Sequence, residues 1–316
     1  MDSISIIVPC FNEEQALPHF YAKISEISNK MRQVQFELLF VDDGSSDGTL
    51  RLLREYAKKD ERCRYICFSR NFGKEAAMFA GLEAAKGDYV AIMDADLQDP
   101  PELLAEMYNI LGAGDHDCVA TRRSDRKGEP LLRSFFARSF YRFINRISKT
   151  KIVEGARDFR MMTRQMAAAV LQIKEYHRFS KGIFEWVGFR TKWIEYENVE
   201  RVDGNTKWSF WSLFKYSMEG IVAFSTVPLS IASIIGLILF IISIIMIIFI
   251  VIRTLIWGDP VAGWPAMTCI IFLVGGIQLL CTGIAGQYIA KSYMEIKKRP
   301  VYIVRETEER LKDPDR

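Results

Sequence analysis

The sequence predicts an α/β domain followed by two membrane-spanning helices, and three observations carry that prediction. Apolar runs alternate with helical patterns across residues 1–125, the signature of a largely parallel sheet covered by helices. The early strands end in polar, carboxylate-rich loops, which is where open α/β sheets bind their ligands. Two long runs toward the C-terminal end carry no charged residue at all.

Strands are expected at Ile4 to Val8, Phe36 to Val41, Arg64 to Phe68, Tyr89 to Met93 and Cys118 to Ala120. After the first comes Pro9-Cys10-Phe11-Asn12-Glu13, and after the second Asp42-Asp43-Gly44-Ser45. Pro9, Phe11, Asn12 and Glu13 are therefore candidates for ligand contacts, with Asp42 the candidate for a base or ribose contact. Gly44, Ser45, Asp47 and Gly48 read as turn chemistry leading into a helix. Arg70-Asn71-Phe72-Gly73-Lys74 follows the third strand and opens a helix running to about Ala85, so Lys74 stands beside a helix N-terminus that suits an anion. The fourth strand ends in Asp94-Ala95-Asp96-Leu97-Gln98-Asp99-Pro100. Asp99 to Glu102 reads as a helix start with Asp99 as N-cap. Asp96, Gln98 and Asp94 then remain as hard oxygen donors for Mg²⁺ or Mn²⁺ on a nucleotide diphosphate, with Asp94 also facing the donor.

Val227 to Ile252 is 26 uncharged residues, longer at about 1.5 Å each than a hydrocarbon core of roughly 30 Å. A second uncharged run, Gly263 to Ala290, returns through the bilayer; Gly275, Gly276, Gly283 and Gly286 would allow close packing in a homo-oligomer. The expected organisation is a cytoplasmic domain at 1–206, a juxtamembrane helix at 207–226, spans at 227–252 and 263–290, an external loop at 253–262 and a tail at 291–316. Lys207 and Lys215 precede the first span and Lys291, Lys297, Lys298 and Arg299 follow the second, so domain and tail are both placed in the cytoplasm at the inner (plasma) membrane. Met1-Asp2-Ser3 lacks the basic start of a signal peptide.

A formal charge of +3 argues for no nucleic-acid partner, yet residues 122 to 151 hold ten Lys/Arg against Asp125 and Glu129. Arg138, Arg142 and Arg146 recur at i+4 beside Phe135, Phe136, Phe140 and Phe143, an amphipathic pattern at 131–150 suited to anionic lipid. Trp208 and Trp211 belong at the membrane interface. The six cysteines lack zinc spacing and are expected to be reduced, and His19, His116 and His177 show no ligand pattern.

Ile6 to Glu14, Val41 to Ser45, Arg70 to Glu75, Asp94 to Pro100 and Asp158-Phe159-Arg160 together resemble family 2 glycosyltransferases. Within that family the pattern is similar to the polyprenyl-phosphate group, which includes dolichol-phosphate mannose synthase and bacterial bactoprenol glucosyltransferases of the GtrB type. The resemblance implies a GT-A (Rossmann-like) nucleotide-diphosphosugar domain with interfacial helices and two transmembrane helices. It implies inverting transfer of a hexose to undecaprenyl (polyprenyl) phosphate, with UDP-glucose the favoured donor and UDP-N-acetylglucosamine next. It also assigns catalysis to Asp158 and Asp96, and phosphate or acceptor contacts to Arg122, Arg123, Arg126, Arg133 and Lys207. An ion pair of Asp158 with Arg157 or Arg160 is the competing reading. A processive polysaccharide synthase would carry Gln-x-x-Arg-Trp and more spans, and a non-catalytic sensor would carry a degenerate site; neither pattern is present.

Overall fold

Period-two burial along the first two strands builds a sheet with two apolar faces. In β1 (Asp2–Cys10), Ile4, Ile6 and Val8 pack into one buried cluster while Ile7 joins the other, and in β2 (Val34–Asp42) Phe36, Leu38 and Phe40 alternate with Leu39 and Val41 in the same way. Each such side chain contributes about 1.5–3 kcal/mol when fully buried, so the centre of the sheet is the most strongly specified part of the molecule. This computed structural model describes residues 1–123, 153, 155–176, 178–196 and 264–309, together with isolated positions between 229 and 256.

The chain continues through α1 (Ala16–Lys30), α2 (Thr49–Lys59), β3 (Cys63–Phe68), α3 (Lys74–Ala84), β4 (Tyr89–Ile92), α4 (Leu103–Gly112) and β5 (Cys118–Arg123). It then forms β6 (Ala156–Thr163), α5 (Arg164–Gln172), α6 (Ser180–Trp186), β7 (Thr191–Tyr196), α7 (Trp264–Ile296) and β8 (Val304–Thr307). All five strands expected from the sequence are present. Their sheet is mixed, in the order β7-β5-β6-β4-β1-β2-β3-β8: β3, β2, β1 and β4 run parallel, and β6 inserts antiparallel between β4 and β5. The fifth strand runs on to Arg123, so Arg122 and Arg123 belong to the strand and not to the loop after it.

α3 lies close on the sheet because its inward residues are small. Ala76, Ala77 and Ala80 are buried there, and a Cβ at Gly81 would come within 2.2 Å of Ile7 Cγ2. That approach carries Lys74, at the start of α3, to the carboxyl ends of the central strands.

α7 has the length and apolar composition to cross a membrane, with a candidate span at Leu273–Ile296. It continues past Ala290 to Ile296 as one helix, further than the second uncharged run. About half of the first uncharged run, 227–252, lies outside the described residues; the positions described there are helical, Ile234, Ile241 and Phe249 among them exposed and Ala232 buried. The stretches 131–150 and 207–226, with Arg138, Arg142, Arg146, Trp208 and Trp211, also lie outside them.

Beyond α7, the described part of the stretch read from sequence as a tail, residues 297–309, returns to the domain. β8 pairs antiparallel with β3 at the edge of the sheet. Arg54 donates to both oxygens of Glu306 at 2.7 and 2.6 Å, Tyr65 Oη donates to Glu306 at 2.6 Å, and Tyr302 stacks on Phe68 with ring centroids 4.8 Å apart. Hydrogen bonding to Arg54 holds the Glu306 carboxyl down at about 2. Because this pKa is depressed in the folded state, its contribution is complete above the ordinary carboxylate range and fades as pH falls toward 2. Glu306→Gln is expected to destabilise docking of the tail by about 2 kcal/mol. Hydrogen exchange at β8 should speed up in this variant at pH 7; unchanged protection would show that the pair adds nothing to docking.

Candidate functional site

Three strand-end loops meet at the carboxyl edge of the parallel strands, and backbone geometry ties them together. Asn12 adopts φ 56°, its N–H donates to Ser45 Oγ at 2.9 Å, and its Oδ1 accepts from Ser46 N at 2.8 Å. Glu13 N donates to Thr49 Oγ1 at 2.9 Å, and Gly48 N donates to Glu14 Oε2 at 2.9 Å. Asp47 Oδ1 accepts from Thr49 N at 3.0 Å, in keeping with turn chemistry at the start of α2. Gly44 is in the left-handed region at φ 70°, and a Cβ there would lie 2.5 Å from the Arg70 carbonyl carbon. The 42–48 loop can therefore press against the 70–73 loop only with glycine at this position.

Asp42 and Asp43 face different surroundings, as neighbours on an extended strand must. Asp42 is fully buried, accepting from Ser45 N at 3.1 Å and from the Cys67 thiol at 3.2 Å. In this arrangement its carboxylate organises the loop. Asp43 accepts from Phe72 N at 2.6 Å and Gly73 N at 2.9 Å, and so positions the start of α3. Burial pushes the Asp43 carboxyl up to about 6, against those two donors. Pro9 is partly buried within β1, while Phe11 is exposed beside the loops.

The chemical centre is a lysine between two aspartates. Lys74 Nζ lies 2.5 Å from Asp158 Oδ2 and 2.7 Å from Asp94 Oδ1. The antiparallel register that sets Ile92 opposite Arg160, carried on two residues, brings Asp94 and Asp158 to the same place. Burial works against the Asp158 charge, but Lys74, Lys181 and Arg160 hold its carboxyl well below the usual carboxylate range. Burial likewise opposes the Lys74 charge, and Asp158 with Asp94 outweighs it, holding the ammonium well above its ordinary pKa. Next in sequence, Glu75 accepts from Ser180 N at 3.0 Å and from the Ser180 hydroxyl, fastening the start of α6 to α3. Burial pushes Glu75 up to about 7, opposed by Ser180 and reinforced by Asp158.

The competing reading of Asp158 does not match the structure. Arg157 turns away to Asp99, donating to its Oδ1 at 3.0 Å, and Arg160 is buried over the Phe184 ring at 3.9 Å with one nitrogen donating to Arg157 O. Asp99 is likewise not a helix cap. It is buried and shared between Arg157 and the Tyr196 hydroxyl, and α4 begins only at Leu103, with Glu102 before it. A buried carboxylate beside a partly buried guanidinium is held by that charge more strongly than by a helix end. Arg157 also reaches Gln98 Oε1 at 3.4 Å, so the amide oxygen expected on a metal is drawn toward Arg157. Asp96 Oδ1 accepts from Gln98 N at 3.2 Å, and Leu97 between them adopts φ 54°. Asp96 and Asp94 keep the donor chemistry for Mg²⁺ or Mn²⁺. Among the described residues no group of three or more His, Cys, Asp or Glu comes together that could hold a metal ion.

Arg122 pairs with Glu195 of β7, which occupies part of the charge expected to meet phosphate. The Arg123 side chain, Arg126, Arg133 and Lys207 lie outside the described residues. The sequence does not single out Asp43, Glu75, Ser180 or Tyr196, and it offers Arg157 only as a possible partner of Asp158. Only Asp43 and Glu75 carried a local signal there, as neighbours of Asp42 and Lys74.

Residues 5–171 match the family described as glycosyl transferase family 2. The chain is 37% identical over 301 residues to an uncharacterized glycosyltransferase of Synechocystis, covering 95% of this chain and 94% of the relative. It is 40% identical over 302 residues to a prophage bactoprenol glucosyl transferase homolog of Escherichia coli, covering 96% of this chain and 98% of that one. It is 41% identical over 303 residues to the putative glycosyltransferase CsbB of Bacillus subtilis, covering 96% and 91%.

Proposed function

The chain belongs to glycosyl transferase family 2, and from that premise we propose that it transfers a hexose from a nucleotide diphosphate sugar, with UDP-glucose the favoured donor, to a polyprenyl phosphate at the cytoplasmic membrane face. The observation that carries the reading is the Lys74 bridge between Asp94 and Asp158, set where three strand-end loops converge. Near full-length similarity to bactoprenol glucosyl transferases supports the lipid acceptor. The tail that leaves α7 and docks on the sheet supports a domain and a C-terminal end on one side of the membrane.

In the proposed reaction the bond from the anomeric carbon to the nucleotide diphosphate breaks, and the diphosphate leaves with the electron pair. An acceptor phosphate oxygen forms the new bond on the opposite face of the sugar. A phosphate monoester has a second pKa near about 6 and arrives largely ionised, so it needs positioning more than deprotonation. Asp158, kept ionised by Lys74, suits that requirement as a fixed negative charge beside a carbon that becomes cation-like. Lys74 balances the two carboxylates and stands where an incoming phosphate would meet it. Asp96 with Asp94 would hold Mg²⁺ or Mn²⁺, which when bound supplies Lewis-acid stabilisation of the leaving diphosphate.

Membranes containing the full chain, given undecaprenyl phosphate and UDP-[14C]glucose, are expected to accumulate label in the organic phase that mild acid releases as glucose. UDP-N-acetylglucosamine in a parallel reaction tests the alternative donor. Label that stays in the aqueous phase with every nucleotide sugar would sink the reading.

A further inference from the structure

At the carboxyl end of α7 the helix, the far half of α3 and the returning tail border a half-open cavity of about 740 Å³, lined by Lys174, Lys298, Arg299, Phe79, Met294 and Tyr302 among others. It is separate from the Lys74 cluster. Phe79 and Glu83 lie five and nine residues along α3 from Lys74, roughly 8 and 14 Å at 1.5 Å per residue.

The position of the cavity in depth is set by the helix. The last residue of the uncharged run is Ala290, and Met294 lies four residues beyond it, about 6 Å further along the axis. That is the polar zone that brings a bilayer from roughly 30 Å of hydrocarbon to 40–45 Å overall. Leu279 and Ile289 are exposed on the helix surface, as a lipid-facing helix requires.

The charges in the cavity are unequal in their commitments. Its two acids are already hydrogen-bonded: Tyr302 Oη donates to Glu83 at 2.7 Å, and Tyr176 N donates to Glu295 Oε1 at 2.9 Å. Three cations face them, Lys174, Lys298 and Arg299. Lys298 is held at φ 47°, a left-handed conformation uncommon for lysine, where α7 stops and the chain turns at Pro300 toward β8. The remaining walls are apolar and aromatic: Phe79, Met294, Val301 and the Tyr302 ring. Surplus cations over an apolar floor, at headgroup depth, fit a ligand with an anionic head and acyl chains.

We propose that this cavity holds the phosphate head group of an anionic glycerophospholipid, separate from the acceptor that reacts. The proposal rests on the reading that α7 crosses the membrane. By seating a lipid between helix and tail, the site couples the tail, and through β8 the sheet, to the bilayer surface.

The test uses the full chain in neutral detergent and reads bound lipid by native mass spectrometry during titration with dioctanoyl phosphatidylglycerol. Dioctanoyl phosphatidylcholine, inorganic phosphate and a short polyprenyl phosphate are the comparisons. Phosphatidylglycerol is expected to bind in preference to all three. In the double variant Lys298→Asn/Arg299→Gln, with Asn chosen because it tolerates the left-handed backbone, affinity is expected to fall roughly 30-fold, about fivefold for each basic residue removed. The charge-conserving pair Lys298→Arg/Arg299→Lys is expected to restore binding, and UDP binding is expected to be the same in all three proteins. Equal binding of phosphatidylcholine, equal competition by inorganic phosphate, preferred retention of the polyprenyl phosphate, or undiminished binding in the double variant would each overturn the lipid site while leaving the transfer reaction standing. A chain recovered in buffer without detergent would overturn the membrane reading and the lipid site together.

Discussion

Asp158→Asn is expected to leave nucleotide-sugar affinity within about twofold of the native protein and to lower turnover by about 10³-fold, the scale on which removal of one preorganised electrostatic contact acts. The substitution keeps the shape of the side chain and removes its charge. Lys74, now 2.5 Å from Asp158 and 2.7 Å from Asp94, would be balanced by Asp94 alone. Isothermal calorimetry with UDP-glucose and single-turnover transfer to a short prenyl phosphate separate binding from chemistry. A parallel fall in affinity and rate would assign Asp158 to donor binding or folding instead.

The pH dependence distinguishes a fixed charge from a proton acceptor. Lys74, Lys181 and Arg160 depress the Asp158 carboxyl, so its ionised form persists through neutrality and is lost only in acid, below the ordinary carboxylate range. The rate should therefore show no Asp158 limb between about pH 6 and 9. Glu75, raised to about 7 by burial, has its own ionisation in that window. A limb near pH 7 that disappears in Glu75→Gln belongs to Glu75, whereas one that survives both this substitution and Asp43→Asn, and does not follow the second ionisation of the acceptor phosphate, would make Asp158 a base and defeat the fixed-charge mechanism.

Asp96→Asn is expected to abolish transfer, by at least about 10³-fold, in a protein that remains folded and membrane-extractable. In the native protein excess chelator should do the same, and Mn²⁺ or Mg²⁺ should restore the rate. The binding readout is independent of turnover: a divalent ion should tighten UDP for the native chain and leave UDP affinity unaltered in Asp96→Asn. Full turnover by the native protein in chelator would remove the ion from the mechanism. Gln98→Ala should have a smaller effect, because its amide oxygen is directed to Arg157 at 3.4 Å.

The elements and the strand-end position of the site were legible in the sequence because both depend on local pattern. Alternation along Ile4 to Val8 and Phe36 to Val41 specifies half-buried and buried strands, and uncharged length identifies an apolar helix, whatever the rest of the chain does. Asp94 and Asp96 stand out for the same reason: carboxylates directly after a buried strand have no core role to play. The partners of those groups carry no such mark. Lys74 reaches Asp158 across 84 residues, Arg157 takes Asp99 across 58, and Glu306 reaches Arg54 across 252. Each pairing follows from strand order, from the antiparallel insertion of β6 and from the return of β8 to the sheet edge. Asp99 shows the consequence most directly. Its local context, before two prolines and a glutamate, is that of a helix cap, but the fold buries it beside the partly buried Arg157 guanidinium, and a charge-assisted bond there outweighs a capping bond at a solvated helix end. The sequence by itself determined five of the eight described strands, one helix apolar enough to cross a membrane and where acidic groups gather. The tertiary structure decided which charges meet, because proximity between distant residues depends on the topology of the whole sheet.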